Sequence, residues 1–210
     1  MFQEAVSSST QVDLKKLSKL NFINQFYLAG GTALALQLGH RRSFDLDFFS
    51  DKKFNPKEME ILLDAAGEFF QEKISDYTLT GVFNKTNVTF LYYQYRSLFP
   101  YHDFYGVKIA DVLDIACSKI DTISSRGRKR DFIDLYFVCK KKISLLDLWK
   151  LFEKKYKNTG FNKVHILKSL VYFVDADRDP MPRMLKEINW KEVKKFFENE
   201  IKKITKEIYL

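Results

Sequence analysis

A short apolar run that ends in two glycines, followed closely by an alternating segment, constrains most tightly how this chain can fold. Residues 26–29 form the run and Gly30-Gly31 closes it, which predicts a strand that ends in a sharp turn. Residues 43–48 alternate polar and apolar with a period of two, which is typical of a strand with one buried face. Helix-favouring residues lie between the two segments, with Thr32 as the expected cap and Gly39 as the expected end. The sequence therefore predicts a strand–turn–helix–strand unit.

The rest of the chain divides into a mixed half and a helical half. Asn55-Pro56 is typical of a helix start, and this helix is predicted to run to about Gln71. Residues 75–83 and 86–95, separated by Asn84-Lys85, predict a hairpin. After Ile109 the apolar periodicity is helical to the end. The predicted helices cover 111–124, 129–141, 145–155, 162–174 and 190–208.

These elements predict an α+β protein. The α/β core is expected over residues 1–109 and a helical C-terminal domain over residues 110–210. Because no low-complexity linker separates the two halves, we expect the helical domain to pack on the core.

Composition narrows the class of protein. No apolar run reaches the roughly 20 residues that span a bilayer, and the first residues lack the regions of a signal peptide, so a cytoplasmic protein without membrane contact is expected. Cys117 and Cys139 lack metal-ligand spacing and are predicted to be reduced core residues. Lys and Arg outnumber Asp and Glu by 35 to 27, and the formal charge of +8 favours a partner that carries phosphates.

The strongest candidate for chemistry lies in the strand–turn–helix–strand unit. On a strand, Ser43, Asp45 and Asp47 share one face. Two carboxylates whose side chains originate about 6–7 Å apart can converge on one hard cation, and a solvated strand edge is the alternative interpretation. Backbone N–H groups after Gly30-Gly31 can bind phosphate, because no side chain obstructs them. A phosphate cradle beside a metal site is what phosphoryl or nucleotidyl transfer requires.

A second group of candidates lies in the helical half. Lys119 falls within the apolar stripe of helix 111–124, so it must snorkel to solvent or meet an anion such as a bound triphosphate. In the latter case, a methionine there should leave the protein at least as stable. Asp131 and Asp134 share one face of the next helix and can hold nearby arginines, position Lys119 or bind metal. A basic turn precedes them and is a candidate acceptor-binding surface; its members are Arg126, Arg128, Lys129 and Arg130.

The chain resembles the AbiEii/AbiGii nucleotidyltransferase toxins, a branch of the DNA polymerase β superfamily. The likeness lies in three ordered blocks: Leu28 to Leu36 with His40 to Phe49, Lys119 with Arg126 to Tyr136, and parts of Ser169 to Pro182. Together they span most of the chain. The resemblance implies a polymerase β-type nucleotidyltransferase core, built as a mixed sheet with flanking helices, followed by a C-terminal helical bundle.

The resemblance also implies roles for individual residues. Gly31 and Ser43 are expected to face phosphates, Asp45 and Asp47 to hold Mg²⁺, and Lys119 to contact the NTP. With the other residues of the cradle, the predicted nucleotide-binding set is Gly30, Gly31, Thr32, Ser43 and Lys119. A toxin that modifies tRNA ends and is restrained by an antitoxin protein is implied as well.

One position departs from the family pattern. Polymerase β enzymes often carry a third carboxylate on a later strand, but residues 87–91 contain none, and Thr89 occupies the candidate position. Asp131 or Asp134 then joins Asp45, Asp47 and Lys119 as catalytic residues, or the acceptor is activated differently, or turnover is weak. We predict a magnesium-dependent transfer from an NTP to RNA. The alternatives are a small-molecule or protein acceptor, and a nucleotide-binding module that has lost catalysis.

Overall fold

A computed structural model describes the backbone of residues 1–209 and the side chains of residues 1–208. It divides into two compact units, the first spanning Met1–Asp111 and the second beginning at Val112. Strands and helices are mixed in the first unit, and the second is helical. The predicted α+β class is confirmed.

The first unit is built around one seven-stranded sheet. Its helices and strands, in chain order, are α1 (Ser8–Leu17), β1 (Tyr27–Ala29), α2 (Gly30–Leu38), β2 (Leu46–Ser50), α3 (Pro56–Ala66), β3 (Phe69–Ser75), β4 (Thr78–Phe83), β5 (Thr86–Tyr92), β6 (His102–Phe104) and β7 (Val107–Ile109). The strand order is β3-β4-β5-β2-β1-β7-β6. The β2–β5 and β1–β7 pairs are parallel and the other pairs are antiparallel.

The two faces of the central strands differ in character. Side chains alternate buried and half-buried along β2, and Phe48 of β2 stacks on Phe90 of β5 with ring centroids 5.0 Å apart. Phe26 and Phe54 extend this phenylalanine core, the ring of Phe26 lying 5.2 Å from Phe90 and 5.1 Å from Phe54. The opposite face, which we call the Asp47 face, carries Asp47, the residue two positions away from it on β2, and the residues that pair with it on β1 and β5. Burial of one face thus leaves the other for the candidate site.

Several local signals are confirmed. Gly39 ends α2 in the left-handed conformation at φ 59°. The side chain of Asn55 caps α3 by accepting a hydrogen bond from the Lys57 N–H at 3.1 Å, and Pro56 is the first helical residue. Strands β4 and β5 form the predicted hairpin, with Asn84 at the turn.

Other expectations about this unit are wrong, each because long-range contacts override a local preference. The helix that starts at Pro56 ends at Ala66 instead of Gln71, since residues 69–75 pair with β4. Thr32 does not cap α2, which begins two residues earlier with Ala29 at the N-cap position. The strand expected from residue 43 begins at Leu46, and Ser43 makes only an isolated bridge to Val6.

The second unit packs its helices around large aromatic side chains. Its helices are α4 (Val112–Arg126), α5 (Lys129–Lys141), α6 (Leu145–Lys155), α7 (Lys163–Ser169), α8 (Val174–Arg178) and α9 (Trp190–Tyr209). The ring of Phe132 contacts those of Phe173, Trp190 and Phe197, with centroids 5.2 to 5.9 Å apart. The helix expected over residues 162–174 is α7, which ends at Ser169; α8 begins only at Val174. Within the described residues, no helix combines the length and apolarity needed to cross a bilayer.

Candidate active site

The turn between β1 and α2 brings backbone and carboxylate together. Gly30 has φ +65°, and a Cβ atom there would overlap Oδ2 of Asp47. Helix α2 begins at this glycine, and its N-cap residue, Ala29, contributes no side-chain cap to the first N–H groups. These N–H groups carry the positive end of the helix dipole, which favours an anion. We call the backbone at Gly30 and Gly31 the phosphate cradle.

A buried arginine lies beside this cradle. A Cβ atom on Gly31 would overlap Nη2 of Arg41 and lie 3.4 Å from Oγ of Ser43. Arg41 is 4% exposed, and its Nη1 donates to the carbonyl of Arg42 at 3.0 Å. Sequence reasoning did not single out Arg41, although its position two residues before Ser43 was an available signal. Its charge adds to the attraction that the helix terminus exerts on phosphate.

Thr32 connects the cradle to the residues just before β2. Its fully buried hydroxyl is hydrogen-bonded to Oγ of Ser43 at 2.9 Å and to the carbonyl oxygen of Asp45. Thr32 and Ser43, both predicted to bind nucleotide, therefore lie together next to Gly31. Two buried hydroxyls that satisfy each other hold the backbone before β2 at one distance from α2.

Asp45 and Asp47 are both half-buried, and the carboxylate of Asp47 lies against Gly30 of the cradle. Asp47 pairs with Ala29 on β1 and with Thr89 on β5. Oδ1 of Asp45 accepts a hydrogen bond from Nδ2 of Asn87 at 3.0 Å. Asn87 is a second residue that sequence reasoning missed, because a separation of 42 residues gives no local signal. The β5 residues beside the carboxylates are thus an amide and a hydroxyl, neither of which can act as a general base.

The donor set suits a hard cation. Among residues 1–209, no group of three or more His, Cys, Asp or Glu side chains is arranged to hold a metal ion. Mg²⁺ commonly takes only one or two protein carboxylates and fills its remaining positions with water and substrate phosphates. Asp47, whose carboxylate lies against Gly30, and Asp45, whose backbone carbonyl is bonded to Thr32, fit that requirement.

Lys119 forms an ion cluster in the second unit. Its Nζ lies 2.6 Å from Oδ1 of Asp131 and 2.7 Å from Oδ2 of Asp134. Lys119 is 5% exposed, and both aspartates are fully buried. Lys119 therefore does not snorkel to solvent; the anions that it meets are the two aspartates, which position it.

The positive charges of the cluster change the pKa of one carboxyl group, that of Asp131. Burial raises the pKa of Asp131, but Lys119 and Arg126 outweigh that effect, so that its pKa lies below the ordinary value. Nε of Arg126 is 3.2 Å from Oδ2 of Asp131. Asp131 is therefore ionised at neutral pH and stabilises the cluster.

The basic turn contains two kinds of side chain. The side chains of Arg126 and Arg128 are 52% and 56% exposed and pair with Asp131 and Asp179, and Arg130 is also exposed. Lys129 is buried instead, and its ammonium group donates to the carbonyl oxygen of Asp179. Its backbone N–H also donates to Oδ2 of Asp179 at 3.0 Å. The turn thus presents arginines to solvent, while the charge of Lys129 points into the second unit.

Known proteins share this sequence pattern and this fold. The profile of the family described as "Nucleotidyl transferase AbiEii toxin, Type IV TA system" matches residues 13–109 and 91–207. An uncharacterized protein of Aquifex aeolicus (strain VF5) is 38% identical over 201 residues, covering 90% of this chain and 92% of that protein.

Solved structures with low sequence identity share the fold. JHP933 from Helicobacter pylori aligns with a TM-score of 0.54 and 20% identity over 96% of both chains. MenT4, a nucleotidyltransferase toxin from Mycobacterium tuberculosis H37Rv, aligns with a TM-score of 0.53 and 14% identity over 94% of this chain and 83% of its own. The predicted polymerase β-type fold, a mixed sheet with flanking helices followed by C-terminal helices, is confirmed. Because the family profile covers both the cradle with its carboxylates and the Lys119 cluster, this chain belongs to the AbiEii nucleotidyltransferase toxin family of type IV toxin–antitoxin systems.

Proposed function

We propose that this nucleotidyltransferase is magnesium-dependent, transfers a nucleotide from an NTP to RNA, with tRNA as the expected acceptor, and is restrained by an antitoxin protein. The observation that carries the proposal is the contact between the phosphate cradle and the carboxylate strand. Gly30 is open towards Asp47 only because it lacks a Cβ atom. A triphosphate bound in the cradle would then lie beside the carboxylates that would hold the cation.

The triphosphate is bound by backbone and by two polar side chains. The first N–H groups of α2 and the hydroxyl of Ser43 donate to phosphate oxygens, and Arg41 supplies a positive charge beside Gly31. Arg41 is already buried, so little side-chain entropy is lost when the substrate binds. The residues around Gly31 thus hold the leaving phosphates in a fixed orientation.

Asp45 and Asp47 are the residues that would hold Mg²⁺. When bound, the ion neutralises charge on the phosphates and stabilises the charge that develops during transfer. The Asn87 amide restrains the Asp45 side chain through its hydrogen bond to Oδ1. The Thr32 hydroxyl restrains the backbone of the same residue.

The proposal retains Lys119, Asp131 and Asp134 as residues required for transfer. Thr89 cannot accept the proton of the acceptor hydroxyl, so either another carboxylate accepts that proton or the acceptor is activated differently. Asp131 is ionised, but its lowered pKa and its ion pair with Lys119 make it a weak proton acceptor, so its role in the proposal is to position Lys119. The strong ion pairs of Lys119 mean that any test at this cluster must measure stability together with activity.

The acceptor can be identified by label transfer. Each α-labelled NTP would be incubated with the protein and total RNA, with and without Mg²⁺, and the RNA fraction counted. We expect label in RNA only when Mg²⁺ is present. Label in a small-molecule or protein fraction would show that the acceptor is a small molecule or a protein. Binding of NTP without any transfer would favour a nucleotide-binding module.

The basic turn provides a prediction about RNA binding. Replacing Arg126, Arg128 and Arg130 with glutamine should lower the log–log salt slope of RNA binding by roughly one for each phosphate that the variant no longer binds. Lys129→Gln is the matched control: its ammonium group is bound to the Asp179 carbonyl, so we expect lower thermal stability and an unchanged slope. Titration of fluorescent tRNA at several salt concentrations measures both effects. An unchanged slope in the triple variant would favour a small-molecule acceptor.

The cradle glycine provides a second prediction. Gly30→Ala should lower the free energy of unfolding by about 1–2 kcal/mol, because alanine disfavours the left-handed conformation. It should also lower the transfer rate by roughly a hundred-fold, because the new methyl group displaces Asp47. Gly106→Ala is the matched control, since Gly106 has φ +78° and no neighbour within 4 Å of an added Cβ atom.

The two glycine variants separate backbone strain from the effect on the site. Chemical denaturation should show the loss caused by the left-handed backbone in both variants and a further loss in Gly30→Ala, whose methyl group must displace Asp47. Initial-rate assays should show a loss of transfer only for Gly30→Ala. Equal transfer rates in both variants would place the reacting phosphate away from Asp47.

A further inference from the structure

A row of aromatic side chains crosses the Asp47 face. Its members, which we call the aromatic row, are Tyr101, Tyr27, Phe49, Tyr93 and Tyr95. Successive ring centroids lie 4.8, 6.1, 4.9 and 5.0 Å apart. Tyr101 is 39% exposed, Phe49, Tyr93 and Tyr95 are half-buried, and Tyr27 is buried. The phenylalanine core lies on the other face of the sheet, so this row is separate from it.

The aromatic row lies next to Asp47 along β2. Phe49 follows Asp47 by two residues on β2, so it lies on the same face about 7 Å farther along the strand. Across the ladder, Tyr27 pairs with Phe49 just as Ala29 pairs with Asp47. Strand β1 continues from Ala29 into Gly30. The cradle therefore lies on one side of Asp47 and the row on the other.

This order matches the geometry of nucleotidyl transfer. The attacking and leaving oxygens lie roughly in line on opposite sides of the phosphorus atom. If the leaving phosphates occupy the cradle, the acceptor hydroxyl approaches from the side of Phe49. The nucleotides attached to that hydroxyl then extend over the row.

We propose that the aromatic row binds the bases at the 3′ end of a single-stranded nucleic acid, whose terminal hydroxyl is the acceptor; this inference rests on the proposed function. Aromatic side chains stack on successive bases without needing a particular sequence. The formal charge of +8 attracts the phosphate backbone of such a strand. A chain of rings in mutual contact also holds each ring in place before a base arrives.

A pair of adjacent tyrosines provides the test. Tyr93→Leu removes a ring from the row, and we expect roughly ten- to hundred-fold weaker binding of a short single-stranded RNA. Tyr92→Leu is the matched control, because Tyr92 is also half-buried and lies 5.8 Å from the ring of Tyr77, but it belongs to the opposite face. Fluorescence anisotropy without NTP measures the affinity, and thermal unfolding compares the stability of the two variants.

An oligonucleotide with abasic residues at its 3′ end makes the test specific for stacking. The unchanged protein should bind it about as weakly as Tyr93→Leu binds the intact strand. Equal affinity of the unchanged protein for both strands, or an equal loss in Tyr92→Leu, would overturn the proposal. So would a Tyr93→Leu variant that loses affinity for NTP and keeps its affinity for the strand.

The outcomes also distinguish this inference from the proposed function. If Tyr93→Leu still transfers nucleotides to RNA at the normal rate and binds the strand normally, the row is rejected and the function stands. If base-dependent binding is found but no NTP is ever transferred, the function is rejected, and the row remains a nucleic-acid site.

Discussion

Asp47→Asn is expected to lower the rate of nucleotide transfer by at least about a thousand-fold while the fold survives. Asparagine keeps the shape of the side chain and removes the charge that holds the cation. A metal ion contributes several kcal/mol to such a transition state, and each 1.36 kcal/mol is about a factor of ten in rate. Asp47 is half-buried, and its backbone pairs with β1 and β5 whatever the charge of its side chain. Initial rates at saturating Mg²⁺, together with thermal unfolding, measure the two quantities.

Asp51→Asn is the control for this prediction. Asp51 is exposed one residue beyond the end of β2, so its replacement changes the net charge equally and leaves the site intact. We expect a normal rate in this variant. Transfer at the normal rate by Asp47→Asn, with native unfolding behaviour, would remove Asp47 from the metal site and the proposed mechanism with it.

Lys119→Met is expected to lower the free energy of unfolding by about 3–5 kcal/mol, the range found when one partner of a buried ion pair is removed. The sequence predicted no loss, because the lysine was taken as a buried cation that lacked an anion. The structure reverses that expectation: Lys119 neutralises two fully buried carboxylates at 2.6 and 2.7 Å. Urea denaturation at neutral pH measures the loss. A variant as stable as the unchanged protein would contradict these ion pairs.

The pH dependence of that loss tests its cause. In the unchanged protein the pKa of Asp131 is lowered, so its contribution to stability is present above the ordinary value of 3.8 and is lost as the pH falls through the folded value. Without Lys119, less positive charge opposes the effect of burial, so the pKa of Asp131 in the folded variant is higher and Asp131 takes up a proton at a higher pH. The difference in the free energy of unfolding between the unchanged protein and Lys119→Met should therefore become smaller as the pH falls from neutral to about pH 4.

A second buried lysine separates stability from function. Nζ of Lys155 lies 2.6 Å from Oδ1 of Asp114, and both side chains are almost fully buried. Lys155→Met should therefore also destabilise the second unit. Calorimetry should find weaker NTP binding only for Lys119→Met, measured where both variants are folded. Equal NTP affinity in the two variants would limit Lys119 to a structural role.

The sequence by itself determined the type of most elements and the strand–turn–helix–strand unit. The signals were local: the two glycines that end β1, the period of two along β2, and the helical periodicity of α5 and α6, whose predicted limits agree with the structure. Backbone sterics and the burial of one face act over a few residues, so they can be read from a single segment.

Only the tertiary structure decided which side chains meet. Asn87 contacts Asp45, and Thr89 lies beside Asp47, because β5 pairs with β2 in one particular register. Lys119 meets Asp131 and Asp134 because α4 packs against α5, and a lysine in an apolar stripe does not reveal its partner. Register and helix packing are set by the whole hydrophobic core, and a shift of one residue would send each strand side chain to the other face. The sequence therefore supplied the chemical groups of the candidate site, and packing across the fold selected their partners.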